Sequence, residues 1–181
     1  MNRALKMQFA TIIISLAVPV ADAADAFSPY VDNSGNISLP DDFRATMTHL
    51  GSWFVPAGDA SGFHDVYANA DAVSAHRARG EFPDGAVLVK ELRAHTSGSY
   101  TTGQDVSYAN ASLKQWFVMV RDRENRFPDN ASWGNGWGWA LFQPGKTGSV
   151  SNNHTVDCLG CHVPARETEW IYKEAYPTLQ Q

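Results

Sequence analysis

Near the middle of the chain stands Pro83-Asp84-Gly85-Ala86-Val87-Leu88-Val89-Lys90-Glu91-Leu92. Pro-Asp-Gly is typical of a tight turn, because proline presets one backbone angle and glycine accepts a positive φ. The run that follows, Ala86 to Leu92, is rich in valine and leucine and has the length of a buried strand. Two other short apolar runs also predict strands, Trp116 to Arg121 and Trp137 to Phe142.

Lys90 lies in the more apolar of the two rows of side chains on this predicted strand. Successive side chains of a strand point to opposite faces, so Lys90 shares its face with Ala86, Leu88 and Leu92. A lysine that points into a core or a cofactor pocket is costly unless it is neutralised, paired or chemically consumed. The other interpretation is that Lys90 lies near a strand end and extends its ammonium group to solvent.

The remaining segments predict helices and loops around this sheet. Helices are expected to open at Leu39-Pro40-Asp41-Asp42-Phe43, to run over Ala70–Arg79 between Asn69 and Gly80, and to run over Arg166–Ala175. Loops are expected over Gly51–Gly62 and, within a long hairpin, over Ser97–Gln104. Short strands joined by turns indicate a mainly β fold of the α+β class, a curved antiparallel sheet with a few flanking helices.

Near the C-terminus stands Cys158-Leu159-Gly160-Cys161-His162, which has the form of the attachment signature of c-type haem. Two thiols three positions apart on a starting helix can each add to one of the two vinyl groups of a porphyrin. The histidine that follows then lies under the iron and can supply an imidazole nitrogen as proximal ligand. The motif therefore predicts one covalently attached haem c held by Cys158 and Cys161, with His162 as the iron ligand.

Three other interpretations of the two cysteines compete with haem attachment. They are a structural disulfide, a thioredoxin-like redox pair and half of a zinc site. Zinc is disfavoured because the chain has no further cysteine with which to build a second ligand pair. The redox pair is disfavoured because no βαβ pattern precedes the motif. The disulfide remains the main alternative.

Residues 1–23 are expected to be a secretory signal peptide. Arg3 and Lys6 form a positive start, Phe9 to Val20 is apolar, and Ala21-Asp22-Ala23 offers the small residues of a cleavage site. The apolar run is short for a membrane span. We therefore expect export to the periplasm and a mature single domain, residues 24–181, without a membrane anchor. Export agrees with the motif, since bacterial haem c is assembled outside the cytoplasmic membrane.

The charge balance narrows the classes of partner. The chain carries 14 lysine and arginine residues against 19 aspartate and glutamate residues, a formal net charge of −5. An acidic chain without a basic patch interleaved with aromatic residues does not suit a nucleic-acid or anionic-membrane partner.

Three stretches together resemble the cytochrome P460 family. They are Gly80-Glu81-Phe82-Pro83-Asp84-Gly85 leading into the strand with Lys90-Glu91-Leu92, the Cys158-x-x-Cys161-His162 motif, and the closing Tyr176-Pro177-Thr178-Leu179. The haem motif alone is shared by many families, whereas the Phe-x-Asp-Gly-x-x-x-x-Lys-Glu-Leu strand is the specific part. The resemblance covers nearly all of residues 24–181.

This resemblance implies a mostly antiparallel β fold with one c-type haem, an open coordination position on the iron and, often, a homodimer. In the P460 enzymes a lysine is linked to the porphyrin, and Lys90 stands at the matching position. Those enzymes oxidise hydroxylamine to nitrous oxide or nitrite, which implies a soluble redox partner as electron acceptor. A sister group, the cytochromes c′-β, lacks the crosslink and binds nitric oxide in a pocket lined by phenylalanines.

The sequence departs from the enzyme pattern at two positions. A basic pocket residue of the hydroxylamine-oxidising members aligns with His64. Two interpretations of His64 stay open, a pocket base and a hydrogen-bonded histidine at a strand end. The pocket glutamate that serves proton transfer aligns near Phe117, with Gln115 as the nearest polar residue. Three hypotheses therefore stay open: an enzyme that oxidises hydroxylamine, a binding protein for nitric oxide, and an electron-transfer cytochrome with a sixth protein ligand.

Overall fold

The computed structural model describes residues 27–180, which build one open sheet of six antiparallel strands. The mainly β fold class predicted from the sequence is confirmed. In spatial order β1-β2-β3-β4-β6-β5, the strands are β1 (Thr48–Val55), β2 (Gly62–Ala68), β3 (Val87–Tyr100), β4 (Gly103–Arg121), β6 (Trp137–Phe142) and β5 (Trp133–Gly134).

The helices are short and lie at the side of the sheet. They are α1 (Phe43–Thr46), α2 (Ala70–Arg79), α3 (His154–Asp157) and α4 (Leu159–His162), followed by 3₁₀ turns over Val163–Thr168, Lys173–Ala175 and Pro177–Gln180. The predicted bounds of α2 are confirmed, and Gly80 ends it in the left-handed conformation. The predicted cap is wrong, because the side chain of Asn69 accepts a hydrogen bond from the backbone of Val87 instead.

The predicted loop over Gly51–Gly62 is wrong at both ends, and only residues 56–61 form the connection. Residues up to Val55 belong to β1, and β2 begins at Gly62. Gly51 looks like a loop residue in sequence, but it lies at a register irregularity of β1 where the C-terminal segment crosses the strand. A Cβ atom there would overlap the carbonyl oxygen of Ala175. The glycine therefore marks a close approach of two backbones and not a turn.

Two other predicted boundaries are also wrong. The hairpin loop predicted over Ser97–Gln104 shrinks to its tip, because β3 continues to Tyr100 and β4 resumes at Gly103. Backbone pairing between the two strands outweighs the turn-forming side chains there. The helix predicted to open near Leu39 begins only at Phe43, so that both aspartates precede it and Asp42 adopts a left-handed conformation.

The helix predicted over Arg166–Ala175 is also wrong. Its place is taken by two 3₁₀ turns separated by Glu169 and Trp170, whose φ angles are 61° and 67°. Two successive left-handed residues end any right-handed helix.

The sheet is covered on both faces. One core contains Val87, Val89 and Val118 from the central strands and is closed by the segment before β1, including Ile37 and Phe43. The other core contains Leu88 and Met119 and is closed by α2 and the C-terminal residues Ile171, Tyr176 and Leu179. The alternation along β3 thus separates two apolar layers, as the pleat of a strand requires.

Among residues 27–180, no helix is both long enough and apolar enough to cross a membrane. The signal peptide predicted over residues 1–23 lies outside the described residues.

The close approach at Gly51 predicts a large effect of one added methyl group. In Gly51→Ala the new Cβ would overlap the Ala175 carbonyl and lie 2.9 Å from Cδ of Pro177, so the C-terminal segment must shift. We expect the free energy of unfolding to fall by about 1–3 kcal/mol, measured by urea titration. Gly103→Ala is the control, since its Cβ would meet Val106 at an ordinary 3.6 Å. Equal stability of the two variants would contradict the proposed contact.

Candidate haem site

A cavity of about 520 Å³ separates the sheet from the C-terminal segment. Most of its sheet-side wall consists of side chains that alternate along the strands and therefore share one face. Its other wall comes from α3, α4 and the residues that follow. All six site residues predicted from the sequence line this one cavity: His64, Lys90, Phe117, Cys158, Cys161 and His162.

Lys90 extends into the cavity from β3. It pairs with Phe117 of β4 in the sheet register, and its Nζ atom lies 4.0 Å from the centroid of the Phe117 ring. Burial lowers the pKa of Lys90 to about 8, against the opposing influence of Cys161 and Cys158. A sizeable fraction of this side chain is therefore a neutral amine at mildly alkaline pH.

Phe117 and Gln115 share the cavity-facing row of β4, so the strand offers the cavity no carboxylate. Two carboxylates that sequence reasoning missed come from elsewhere. Asp157 lines the cavity from α3, but its Oδ2 atom accepts the backbone N–H groups of Asn152 and Asn153 at 3.0 and 3.2 Å. Asp59 reaches the cavity from the loop between β1 and β2. No local sequence pattern identifies a loop residue that will line a cavity.

His64 forms part of the wall beside Trp53, with the two rings stacked at 4.9 Å and 17°. Its Nε2 atom lies 2.8 Å from the carbonyl oxygen of Ala60. Because a carbonyl only accepts, Nε2 carries the proton and Nδ1 keeps its lone pair. Nδ1 is buried without a hydrogen-bond partner, and burial lowers the pKa of this imidazole. His64 is thus a neutral ring that donates to the loop.

Cys158 and Cys161 are free thiols at the start of α4. The backbone N–H of Cys161 donates to the carbonyl of Cys158 at 3.2 Å, which sets the thiols one turn apart. Burial raises the pKa of Cys158 to about 11. Within residues 27–180, no group of three His, Cys, Asp or Glu residues is placed to hold a metal ion.

His162 faces the cavity, and one of its two ring nitrogens is hydrogen-bonded to the backbone. Its Nδ1 atom lies 2.6 Å from the carbonyl oxygen of Trp170, to which it donates, so Nε2 keeps the lone pair. Trp139 meets the ring edge-on at 4.8 Å and fixes its plane. Burial lowers the pKa of His162, which favours the neutral form. A neutral imidazole with Nδ1 donated to a carbonyl is the usual state of a metal-ligating histidine.

These features fit an iron porphyrin. The cavity volume falls in the range of cofactor sites, roughly 300–1,000 Å³, and most of its wall is apolar, as in Trp53, Leu88 and Trp139. The two thiols and the one imidazole with a free nitrogen stand together on the C-terminal wall. The sheet-side wall opposite them carries Lys90 and Phe117.

Comparison with known proteins gives one family. The model of cytochrome P460 matches residues 40–173 of the 181, a span from α1 to the second 3₁₀ turn that includes every cavity residue named above. The match implies a haem cofactor. Comparison with curated proteins gives no match.

The lowered pKa of Lys90 predicts that the haem-free chain gains stability as the pH rises. The folded pKa of about 8 lies below the ordinary 10.5, so between these values the unfolded chain holds a proton that the folded chain has released. The free energy of unfolding should rise across this window, by at most about 3 kcal/mol. Urea titrations of the wild type and Lys90→Met measure this, and a stability difference that does not change with pH would contradict it.

Proposed function

The chain belongs to the cytochrome P460 family, and on that premise we propose that it is an exported c-type haem protein that oxidises hydroxylamine. One observation carries the proposal: the amine of Lys90 faces the same cavity as the thiols of Cys158 and Cys161 and the imidazole of His162. A lysine so placed can act on a porphyrin bound in the cavity.

Three residues would hold one haem. The S–H bonds of Cys158 and Cys161 would each add across a vinyl C=C bond, a step that consumes no oxidant and releases nothing. The free Nε2 atom of His162 would ligate the iron. The hydrogen bond from Nδ1 to Trp170 supports this assignment, because it leaves the correct nitrogen free.

Lys90 would form a third covalent link to the porphyrin. In that link a C–N bond would replace one porphyrin C–H and one amine N–H, with two protons and two electrons to be removed. An oxidant of the peroxide class, reduced to water, would accept them. The pKa of about 8 supports this role, because only the neutral amine has a lone pair with which to form the bond.

When bound, the haem would supply an open coordination position and an acceptor for electrons. Two molecules of hydroxylamine yield one nitrous oxide, one water, four protons and four electrons, and a soluble redox partner would take the electrons. The chain would remove the protons. Phe117 offers no base, so we assign proton transfer to His64 or to Asp59, which both line the cavity.

A second candidate function is capture of nitric oxide without turnover. The apolar ring of Phe117 beside Lys90 favours it, because a small neutral ligand needs no proton acceptor. The electron-transfer alternative requires a sixth protein ligand. Nε2 of His64 donates to Ala60, so ligation by this ring would have to come from Nδ1. We further propose a periplasmic location after removal of residues 1–23, and a homodimer, in line with the family resemblance.

Covalent haem attachment is tested by mass. From a host that matures haem c, the purified protein should have the mass of residues 24–181 plus one haem after denaturation. Cys158→Ala together with Cys161→Ala should have the mass of the chain alone, because no thioether remains. Wild-type protein with the bare chain mass would refute attachment, and a mass lower by two hydrogens would indicate the disulfide.

The role of Lys90 is tested by Lys90→Ala in the haem-loaded protein. Loss of the crosslink should move the ferrous Soret band from a strongly red-shifted position to that of ordinary high-spin haem c. Hydroxylamine-dependent reduction of an added acceptor should fall roughly tenfold or more, a barrier increase of about 1.4 kcal/mol. Lys146→Ala, in an exposed loop, is the matched control. Wild-type protein with an ordinary spectrum and no turnover would instead favour nitric-oxide binding.

A further inference from the structure

The turn formed by Glu169 and Trp170 separates two 3₁₀ segments just after the haem motif. Both residues have positive φ, 61° and 67°, although neither is a glycine or an asparagine. Side chains of the L form rarely adopt this conformation, so surrounding contacts must hold it.

Contacts to three other elements hold this turn. The carboxylate of Glu169 accepts a hydrogen bond from Nη2 of Arg121, on β4, at 3.1 Å. The carbonyl oxygen of Glu169 accepts one from the indole N–H of Trp137, on β6, at 2.8 Å. The backbone N–H of Trp170 donates to the carbonyl of Ala165, also at 2.8 Å. Trp137 is fully buried, so the turn is fixed to the rigid part of the sheet.

This arrangement fixes the position of one backbone carbonyl group, that of Trp170. The carbonyl oxygen of Trp170 accepts the Nδ1–H of His162 at 2.6 Å. A right-handed conformation at Glu169 and Trp170 would continue the 3₁₀ segment and point this carbonyl along the segment axis. The hydrogen bond of the His162 imidazole thus depends on the strained turn at Glu169 and Trp170.

We propose that Glu169 and Trp137 are positioning residues for the proximal histidine. By fixing the Glu169–Trp170 turn to β4 and β6, they hold the carbonyl that accepts the His162 proton. A firm hydrogen bond at Nδ1 makes the imidazole a stronger electron donor through Nε2. These two residues therefore tune the iron–histidine bond without touching haem or substrate. The inference rests on the proposed ligation of iron by His162.

A purely structural role for Glu169 makes a different prediction. Its carboxylate also lies 3.7 Å from Arg123 and 3.9 Å from Lys173, within a cluster of charges at the edge of the sheet. If Glu169 only neutralised this cluster, its loss would lower stability and leave the iron–histidine bond unchanged. A measurement on that bond separates the two roles.

The experiment compares three variants of the haem-loaded protein by resonance Raman spectroscopy in the ferrous state. Glu169→Gln removes the charge that pairs with Arg121. Trp137→Phe removes the indole donor and changes no charge. Asp84→Asn is the control, because Asp84 pairs with Arg126 in the same charged region and has no contact with the turn. Far-UV circular dichroism confirms that each variant is folded.

We expect the iron–histidine stretching band to move to lower frequency in Glu169→Gln and Trp137→Phe, with a rise in midpoint potential, and to stay at the wild-type frequency in Asp84→Asn. Folded Glu169→Gln and Trp137→Phe proteins with the wild-type frequency would overturn the positioning role. An equal shift in Asp84→Asn would also overturn it. If one of the first two variants fails to fold, the other decides. A wild-type protein without any iron–histidine band would instead refute ligation by His162, and the inference with it.

Discussion

Burial of both faces of the two central strands is the constraint on which the rest of the structure depends. β3 and β4 carry apolar side chains on both faces where they pair, so neither face can be left in water. The segment before β1 covers one face, and α2 with the C-terminal segment covers the other. On the second face the cover stands away from the central strands, and the space between them is the cavity that collects the thiols, the imidazole and the amine.

The neighbours Lys90 and Glu91 lie on opposite faces of β3, and only the charge of Glu91 is compensated by ion pairs. Glu91 is 2% exposed, but Arg44 and Arg93 both pair with it, so its burial is compensated. Lys90 has no such compensation: in the described part of the chain, no carboxylate stabilises its ammonium form. A buried cation without a counter-charge opposes folding, which is the physical ground for assigning Lys90 a chemical role and Glu91 a structural one.

Local sequence patterns were sufficient to predict some helices and strands but not others. The bounds of β6 follow from composition, the end of α2 follows from Gly80, and the alternation along β3 correctly directs Lys90 to the cavity. By contrast, β1 contains Gly51, which is explained by the crossing of the C-terminal segment, a contact between residues far apart in sequence. The break at Glu169 is likewise set by Arg121 and by the buried indole of the sheet. A window of sequence cannot contain these causes, because each depends on tertiary packing.

The loop between β1 and β2 is held in place by hydrogen bonds to its backbone carbonyls. His64, which the sequence offers for proton transfer, donates its Nε2–H to Ala60, while Nδ1 is buried without a partner and keeps its lone pair. Lys114 donates to the flanking carbonyls of Asp59 and Ser61 at 2.8 and 3.0 Å. Three successive carbonyls of this loop are therefore held by cationic or ring N–H donors from β2 and β4, which keeps the loop against the sheet. His64 thus holds the loop through one ring nitrogen and keeps the lone pair of the other for proton transfer, and the same loop brings Asp59 to the cavity wall.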